Sequence, residues 1–281
     1  MATLLDGEKL SAALVPHLKQ RVKKLGVHIQ LGIILVGDDP ASATYVKQKE
    51  KMGKRIGVGV KVFKYPKDIA SGTLRQEVGR ISRLPSMYGV IVQLPLPSHI
   101  NPERILNAIL PSRDPDLLSK TMFGAFAVGT SPILPPTVAG IMHLLQEYKI
   151  PVEGRRAVIF GAGRLIGMPV AIELMRRKVT VSVVTEHTKN PEFFTKKADL
   201  IITGTPHAAH VKGNMIQKGA AVIDAGYART SKGEVAGNVA FEEVSKRAAY
   251  ITPVPGGVGP MTVVKLFENL ITLAERRLKS K

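Results

Sequence analysis

The sequence predicts an α/β protein with two domains, each containing a parallel sheet flanked by helices. Short apolar runs closed by glycine or proline alternate with segments of helical periodicity along the whole chain. This alternation is the pattern of βα units. The 281 residues also exceed one domain of ordinary size, since a domain holds roughly 100–200 residues.

Helices and strands alternate regularly through the first half of the chain. Apolar residues at near-helical spacing predict a helix over 6–24, and the apolar run 31–37 predicts a buried parallel strand. The same criteria predict a helix over 42–56, a strand over 58–66, a helix over 73–84 and a strand over 88–97 that is ended by prolines.

The second half repeats this order. A helix is predicted over 137–148, followed by strands over 157–160, 179–184, 199–204 and 220–226, a strand near 251 and a helix over 262–277. We therefore expect a first domain over 1–120, completed by the C-terminal helix at 262–281, and a second domain over 121–261.

The composition is that of a globular protein, with 44% hydrophobic and 22% charged residues. No apolar run approaches the roughly 18 residues of a membrane-spanning helix, and the N-terminus lacks the pattern of a secretory signal. The absence of cysteine excludes disulfides, thiolate metal sites and thiol catalysis. We expect a cytoplasmic protein with no membrane partner.

The sequence contains 40 basic and 22 acidic residues, which gives a formal net charge of +18. Such an excess attracts anions and, nonspecifically, nucleic acid. The basic clusters at 47–55 and 176–178 lack the interleaved aromatic residues of a base-stacking surface. The charge therefore favours an anionic small substrate or a phosphate-bearing cofactor over a specific nucleic-acid partner.

A glycine-rich turn follows the strand at 157–160 and opens a helix. Its sequence, Gly161-Ala162-Gly163-Arg164-Leu165-Ile166-Gly167, allows backbone N–H groups to approach a pyrophosphate at the helix N-terminus. Glu186 follows the next strand, where a carboxylate accepts hydrogen bonds from a ribose 2′-hydroxyl and opposes a 2′-phosphate. The turn predicts dinucleotide binding; the alternative is a tight strand–helix turn without a ligand.

Three polar residues of the first half are candidates for chemistry. Tyr45 and Lys49, at i and i+4, share one face of a predicted helix. A lysine that acts as a base near neutrality needs a pKa about 2–3 units below its usual value of about 10.4; the alternative is a solvated surface lysine. Gln93 lies at the carboxyl end of a buried strand, where ligands of open α/β sheets bind and where a polar side chain needs a partner.

Three segments together resemble the methylenetetrahydrofolate dehydrogenase/cyclohydrolase family: Tyr45-x-x-x-Lys49, Val-Gln-Leu-Pro-Leu-Pro at 92–97, and TPVPGGVGPMT at 252–262. The similarity covers essentially the whole chain. It implies two α/β domains around a cleft, the second Rossmann-like, and usually a homodimer. It also implies oxidation of 5,10-methylenetetrahydrofolate by hydride transfer to NADP, or NAD in some members, followed by hydrolysis of 5,10-methenyltetrahydrofolate to 10-formyltetrahydrofolate.

The resemblance also implies roles for individual residues. Lys49 matches the catalytic lysine, Tyr45 the tyrosine that stacks on the folate, Gln93 the glutamine that tunes the lysine, and Asp116 the aspartate that holds the pterin. The implied substrate-binding residues are Val46, Lys47, Gln48, Val92, Leu94, Pro255, Gly256, Gly257, Val258 and Gly259. The implied nucleotide contacts are Gly161, Ala162, Gly163, Arg164, Glu186, Thr188 and Tyr227. No metal is expected, although His207-x-x-His210 has a spacing compatible with metal ligands.

Several loops depart from the family's pattern. The pterin loop D-V-D-G is Asp114-Pro115-Asp116-Leu117 here, and because leucine cannot use the positive φ that is open to glycine, the change can re-aim Asp116. The phosphate turn lacks its usual hydroxyl at Gly163, and the usual acidic G-D-V is Gly237-Asn238-Val239.

These departures leave two questions open. Glu186 favours NAD, whereas Arg164, His187 and Lys189 can hold a 2′-phosphate; the family's commoner habit makes NADP the predicted cofactor. The alternatives to a bifunctional enzyme are a member with dehydrogenase activity alone and a non-catalytic folate- or nucleotide-binding paralogue.

Overall fold

The computed structural model describes residues 2–229 and 235–279. The helices are α1 (Gly7–Lys24), α2 (Pro40–Ile56), α3 (Ser71–Arg83), α4 (Pro102–Leu106), α5 (Lys120–Ala127), α6 (Pro136–Glu147), α7 (Gly167–Arg176), α8 (Glu192–Thr195), α9 (Phe241–Val244) and α10 (Val258–Lys279). The strands are β1 (Thr3–Leu4), β2 (Gln30–Val36), β3 (Gly59–Tyr65), β4 (Met87–Val92), β5 (Arg156–Phe160), β6 (Thr180–Val184), β7 (Leu200–Thr203), β8 (Ala221–Asp224), β9 (Ala228–Arg229), β10 (Val235–Ala236) and β11 (Tyr250–Ile251).

The chain forms two compact units, which we name by their sheets. The six-stranded unit contains the chain up to Ala12 and Thr137–Thr262, and the three-stranded unit contains Ala13–Pro136 and the chain from Val263 onward. This division differs from the predicted one, which assigns 1–12 to the first domain and 121–136 to the second. The first twelve residues belong to the six-stranded unit because β1 pairs in parallel with β11, and a strand of two residues leaves no pattern in the sequence.

The three-stranded sheet has the order β3-β2-β4 and is entirely parallel. Apolar side chains of β2, β4, α3 and α4 form its core, with Ile34, Val78, Val90 and Ile105 fully buried. The strand predicted over 88–97 is too long, since β4 ends at Val92. Prolines at 95 and 97 lack the N–H groups that would continue the ladder.

Helix α2 has defined signals at both ends. The carboxylate of Asp39 accepts a 2.7 Å hydrogen bond from the backbone N–H of Ser42, and Pro40 occupies the first turn. The helix stops at Gly57, whose φ of 85° is left-handed and whose N–H donates to Gly53 O. These caps fix the position of the helix that carries Tyr45 and Lys49.

The six-stranded sheet has the order β1-β11-β8-β7-β5-β6, and all its pairings are parallel. Strand β5 lies between β6 and β7, so the chain moves to one side of β5 and then to the other. In open α/β sheets, ligands bind beyond the carboxyl end of a strand at such a switch point. The glycine-rich turn begins at this end of β5, directly after Phe160.

The other long elements lie within a few residues of their predicted positions, which confirms the expected α/β class. The short helices α4, α5, α8 and α9 and the two-residue strands β1, β9 and β10 have no counterpart among the predicted elements. Within the described ranges, no helix is both long enough and apolar enough to cross a membrane.

Candidate active site

Lys49 and Gln93 form the centre of the candidate site in the three-stranded unit. The Lys49 Nζ donates a 2.8 Å hydrogen bond to Gln93 Oε1. Both side chains are half-buried. Lys49 and Gln93 are therefore hydrogen-bond partners of each other.

Gln93 is held in position through its backbone and its amide. It follows β4 directly, and its N–H donates to Ile34 O at 2.9 Å, which extends the pairing with β2 by one step. Its Nε2 donates to Leu94 O at 2.9 Å. Because the amide nitrogen is engaged by this carbonyl, Oε1 is the end that is presented to Lys49.

Tyr45 lies one helical turn before Lys49 on α2. The Lys49 Nζ is 5.9 Å from the centroid of its ring, close to the limit for a cation–π contact. The Tyr45 side chain is half-buried. The ring and the amine therefore lie side by side on one face of the helix, as the i, i+4 spacing predicts.

Asp116 interacts with Lys49 through its charge. Burial lowers the pKa of Lys49, and the negative charge of Asp116 opposes this effect. Burial also raises the pKa of Asp116 to about 6, with Asp114 adding to the increase and Lys49 opposing it. The pKa values of the amine and the carboxyl are therefore both displaced towards neutral pH, as acid–base chemistry requires.

Leu117 corrects one expectation drawn from the sequence. We expected leucine to exclude positive φ at this position, but Leu117 has a φ of 56° and a fully buried side chain. The left-handed conformation costs roughly 1–2 kcal/mol for a residue other than glycine. Burying a leucine contributes roughly 1.5–3 kcal/mol, which is enough to offset that cost. The loop thus keeps a left-handed residue after Asp116 without glycine.

Two buried residues that the sequence analysis did not identify hold the loop around Asp116. The carboxylate of Asp114 accepts a 2.8 Å hydrogen bond from Ser119 N. The Nδ2 of Asn269, on α10, donates to Pro115 O at 2.9 Å and to Leu134 O at 2.8 Å. Asn269 lies more than 150 positions after the loop in the sequence, so no local pattern indicates its role.

The other predicted substrate residues of this unit differ in exposure. Val46 and Val92 are buried, Lys47 and Gln48 are exposed on α2, and Leu94 is half-buried. Their contact with a substrate stays a prediction.

The glycine-rich turn in the six-stranded unit has the geometry of a phosphate-binding turn. Gly161 has a φ of 94°, and a Cβ there would lie 2.8 Å from Gly204 O. A Cβ on Gly167 would collide with Gly161 O, so α7 begins directly against the turn. At Gly163, in contrast, no atom lies within 4 Å of where a Cβ would be. The turn is closely packed towards the sheet and open beside Gly163, as a pyrophosphate site requires.

Glu186 and Thr188 follow the edge strand β6. The Thr188 hydroxyl accepts a 2.9 Å hydrogen bond from Thr185 N, which closes the turn. Glu186 is exposed, and its Oε1 lies 3.8 Å from His187 Nε2. Arg164 and Tyr227 are both half-buried in the same unit. The carboxylate is therefore available on the surface beyond β6, as a ribose contact would require.

Asn238 is a third polar residue whose role could not be predicted from the sequence. It is fully buried, and its Nδ2 donates to Thr205 O at 2.9 Å and to His207 O at 2.6 Å, while its Oδ1 accepts from Thr205 N at 2.9 Å. It thus fastens the loop that follows β7. The aspartate usual at this position in the family has no N–H group to donate to the two carbonyls. Asparagine in place of that aspartate therefore supplies the donor that this loop uses.

The predicted substrate loop at 255–259 also lies in the six-stranded unit. Gly256 O accepts a 3.0 Å hydrogen bond from Glu8 N, which ties the loop to the start of α1. Gly257 and Val258 are buried, Pro255 and Gly259 are exposed, and Gly256 is half-buried. The exposed positions are those at which a ligand could approach.

The histidine pair offers no set of metal ligands. His210 Nδ1 lies 3.0 Å from His207 O, and its ring packs edge-on against Phe160. No group of three or more histidine, aspartate or glutamate side chains suited to a metal occurs in the described part of the chain.

Together, the fold and the two sets of residues define a class of protein: an α/β enzyme with a half-buried lysine bound to Gln93 in one unit and a glycine-rich turn after a parallel strand in the other. Comparison with known proteins identifies the family. The model of the tetrahydrofolate dehydrogenase/cyclohydrolase catalytic domain matches residues 5–116, and the model of the NAD(P)-binding domain of the same family matches residues 135–278. The chain belongs to the tetrahydrofolate dehydrogenase/cyclohydrolase family.

Individual relatives agree with this assignment and confirm the resemblance found in the sequence. The bifunctional protein FolD of Campylobacter jejuni (strain RM1221) is 42% identical over 280 residues, which cover 98% of this chain and 99% of that protein. The crystal structure of the bifunctional enzyme FolD from Campylobacter jejuni has a TM-score of 0.95 at 40% identity and covers 99% of this chain and 100% of that chain. The Trypanosoma brucei enzyme, solved with NADP and an inhibitor, has a TM-score of 0.94 at 32% identity, with 99% of each chain covered.

Proposed function

We propose that this chain oxidises 5,10-methylenetetrahydrofolate to 5,10-methenyltetrahydrofolate with NADP and hydrolyses the product to 10-formyltetrahydrofolate. Family membership supports both reactions. The observation that carries the hydrolytic half is the hydrogen bond from Lys49 to Gln93 beside Asp116.

Lys49 is the proton acceptor of the hydrolytic step. A neutral amine has two N–H donors and one lone pair, and one N–H is already committed to Gln93 Oε1. The lone pair is thereby free to accept a proton from the water that attacks the methenyl carbon. The ammonium that forms is stabilised by the Gln93 oxygen and by the charge of Asp116. Tyr45 positions the folate beside this amine, as the resemblance implies.

The residues of the glycine-rich turn fit a dinucleotide. The exposed segment Ala162–Gly163 lies in the turn that leads into α7 and would hold the pyrophosphate through backbone N–H groups. When bound, NADP supplies the hydride acceptor of the first reaction. Glu186 faces the ribose, and Arg164, His187 and Lys189 are the residues that could hold a 2′-phosphate.

The direct test uses the purified chain with 5,10-methylenetetrahydrofolate and either NADP or NAD. Reduced nicotinamide and methenyl absorbance are read separately. We expect nicotinamide reduction without accumulation of methenyltetrahydrofolate, and turnover of added methenyltetrahydrofolate. Accumulation of the methenyl compound would show a dehydrogenase alone. No turnover with either nucleotide would contradict the proposal and support a binding paralogue.

Glu186 provides the test of nucleotide preference. Its carboxylate opposes a 2′-phosphate, so Glu186→Gln should raise kcat/KM for NADP relative to NAD by about tenfold, equivalent to about 1.4 kcal/mol. Glu153→Gln is the matched control, because Glu153 is exposed and paired only with an exposed lysine in the part described. An unchanged NADP/NAD ratio in Glu186→Gln would show that the carboxylate does not face the ribose.

The proposal includes a homodimer and a cytoplasmic location. Strand β6 ends the order of the six-stranded sheet, with Val183 41% exposed, and Met175 on the preceding helix is 56% exposed. An exposed apolar edge strand is a surface that pairs with another chain. We expect Val183→Lys to shift the mass measured by light scattering from dimer to monomer. Val128→Lys, at an exposed valine of the other unit, should leave the dimer intact.

A further inference from the structure

An arginine cluster surrounds the chain segment that enters β4. Arg113 Nη1 donates to Ser82 O at 2.6 Å and to Leu84 O at 2.7 Å. Arg277, on α10, donates from Nη1 to Met87 O at 3.0 Å, and its guanidinium stacks over the Tyr88 ring at 4.7 Å. Its Nη2 also donates to Pro85 O at 3.5 Å. Two guanidinium groups from distant parts of the sequence thus both bind carbonyls of the segment that joins α3 to β4.

A third arginine belongs to the same cluster. Arg83 ends α3, and its Nη1 donates to Gly79 O at 2.7 Å. The charges of Arg277 and Arg83 both lower the pKa of Arg113, in addition to the larger effect of burial. The positive charges of Arg277 and Arg83 therefore both act on Arg113.

Among the residues that the structure describes, no carboxylate forms an ion pair with these arginines. Of the ion pairs found in the described part of the chain, none involves Arg83, Arg113 or Arg277, and their hydrogen-bond acceptors are all backbone carbonyls. Like charges gathered without a counter-charge repel one another, and burial increases the cost. Basic groups elsewhere in this unit do have acidic partners, as Arg21 has in Glu275 and Arg80 has in Glu77.

The cluster also keeps free donors that solvent can reach. Arg113 is only 8% exposed, yet its Nε and Nη2 donate to no group of the described chain. Among the described residues, Glu173 Oε2 is the one side-chain nitrogen or oxygen that is fully buried and has no hydrogen-bond partner. The unpaired Nε and Nη2 of Arg113 are therefore in contact with solvent. Exposure increases from Arg113, which is buried, through Arg277, which is half-buried, to Arg83, which is exposed. The cluster thus extends from a buried arginine to the protein surface.

We propose that Arg83, Arg113 and Arg277 bind an oxyanion, a phosphate or carboxylate group, at the amino end of β4. Guanidinium groups offer paired N–H donors that match the oxygens of these anions. The site is distinct from the one that contains Lys49. Met87 and Gln93 lie at opposite ends of β4, about 20 Å apart at about 3.3 Å per residue.

The test measures thermal unfolding of the full chain in sodium phosphate, in sodium glutarate and in sodium chloride at matched ionic strength. The variant is Arg277→Gln, which removes one charge and leaves the more buried Arg113 in place. Arg75→Gln is the matched control, since Arg75 is an exposed arginine of α3 and its replacement removes the same charge. At roughly ten times the Kd, phosphate or glutarate should raise the Tm of the wild-type chain by roughly 2–4 °C over chloride.

The expected result is that Arg277→Gln loses this increase whereas Arg75→Gln keeps it. An increase with phosphate alone identifies a phosphate site, and an increase with glutarate identifies a carboxylate site. An equal increase in all three proteins would place the anion elsewhere, for example at the glycine-rich turn, and would overturn the proposal. No increase over chloride in the wild-type chain would also overturn it.

Discussion

Lys49 Nζ and Gln93 Oε1 are 2.8 Å apart although 44 residues separate them in the sequence. Helix α2 carries the amine, and the carboxyl end of β4 carries the amide. The Gln93 amide is itself oriented by Leu94 O. The Lys49 amine therefore donates to a neutral acceptor whose orientation the backbone fixes.

Replacing that neutral acceptor by a carboxylate should make Lys49 a weaker proton acceptor at neutral pH. In Gln93→Glu, the added negative charge stabilises the ammonium and raises the pKa of Lys49. The rising limb of the pH profile for methenyltetrahydrofolate hydrolysis should move to higher pH by about one unit, so that kcat near pH 7 falls about tenfold. Gln76→Glu, at an exposed position on α3, controls for the added charge. A profile that does not move would show that Gln93 does not tune the amine.

Removing the charge of Asp116 should have the opposite effect on the same profile. Because Asp116 opposes the lowering of the Lys49 pKa, Asp116→Asn should move the rising limb to lower pH when kcat is measured at saturating folate. Asp68→Asn, an exposed aspartate of the same unit, should leave the limb in place. A shift to higher pH would contradict the sign of the interaction.

Asp116→Asn should also change stability in a pH-dependent way. The pKa of Asp116 is raised from 3.8 to about 6 in the folded protein, so the folded state binds more protons than the unfolded state between these values. Ionisation therefore destabilises the fold as pH rises through this window. The Tm of Asp116→Asn should exceed that of the wild-type chain above about pH 6, and the difference should disappear below about pH 4. A difference that does not depend on pH would contradict this account.

Asn269 is expected to act on catalysis only through the loop that carries Asp116. Asn269→Ala leaves Pro115 O and Leu134 O without their donor, at a cost of roughly 1–3 kcal/mol for each buried group. We expect a lower Tm together with a higher KM for folate and a KM for NADP that changes little. Gln20→Ala, at an exposed amide side chain of the same unit, is the control. A loss of stability with unchanged folate KM would assign Asn269 a structural role alone.

Asn238→Asp tests the loop after β7. The new carboxylate oxygen would face Thr205 O and His207 O, where the amide now donates, and this repulsion should displace the loop. We expect the KM for NADP to rise and the Tm to fall by several degrees near pH 7, with partial recovery near pH 4 as the carboxyl becomes protonated. Asn214→Asp makes the same change at an exposed site. Equal effects in the two variants would exclude a specific role for Asn238.

Much of the fold could be predicted because its signals are local. The apolar run at 31–37 and the glycine-rich turn after 160 each occupy a few consecutive residues, and the structure has a strand and a strand–helix turn at these places. The i, i+4 spacing likewise placed Tyr45 and Lys49 on one face. Strand β1 could not be predicted, because its two residues are ordered by pairing with β11 near the other end of the chain.

The supporting residues of the site were missed for the same physical reason. Asn269 and Asn238 bind carbonyls 154 and 33 positions away, respectively, so their roles depend on tertiary contacts. At Leu117, in contrast, a local signal was present in the sequence but led to a wrong prediction. Its local preference correctly disfavours a positive φ, but complete burial of the side chain outweighs that preference.

The most direct test of the central claim, that Lys49 is the proton acceptor, is the hydrolysis rate of 5,10-methenyltetrahydrofolate by Lys49→Met. Lys51→Met, at an exposed lysine of the same helix, is measured beside it. We predict that Lys49→Met lowers kcat for hydrolysis by at least about 100-fold, that it still reduces NADP with 5,10-methylenetetrahydrofolate, and that Lys51→Met retains both activities. Hydrolysis by Lys49→Met at the wild-type rate would contradict the assignment.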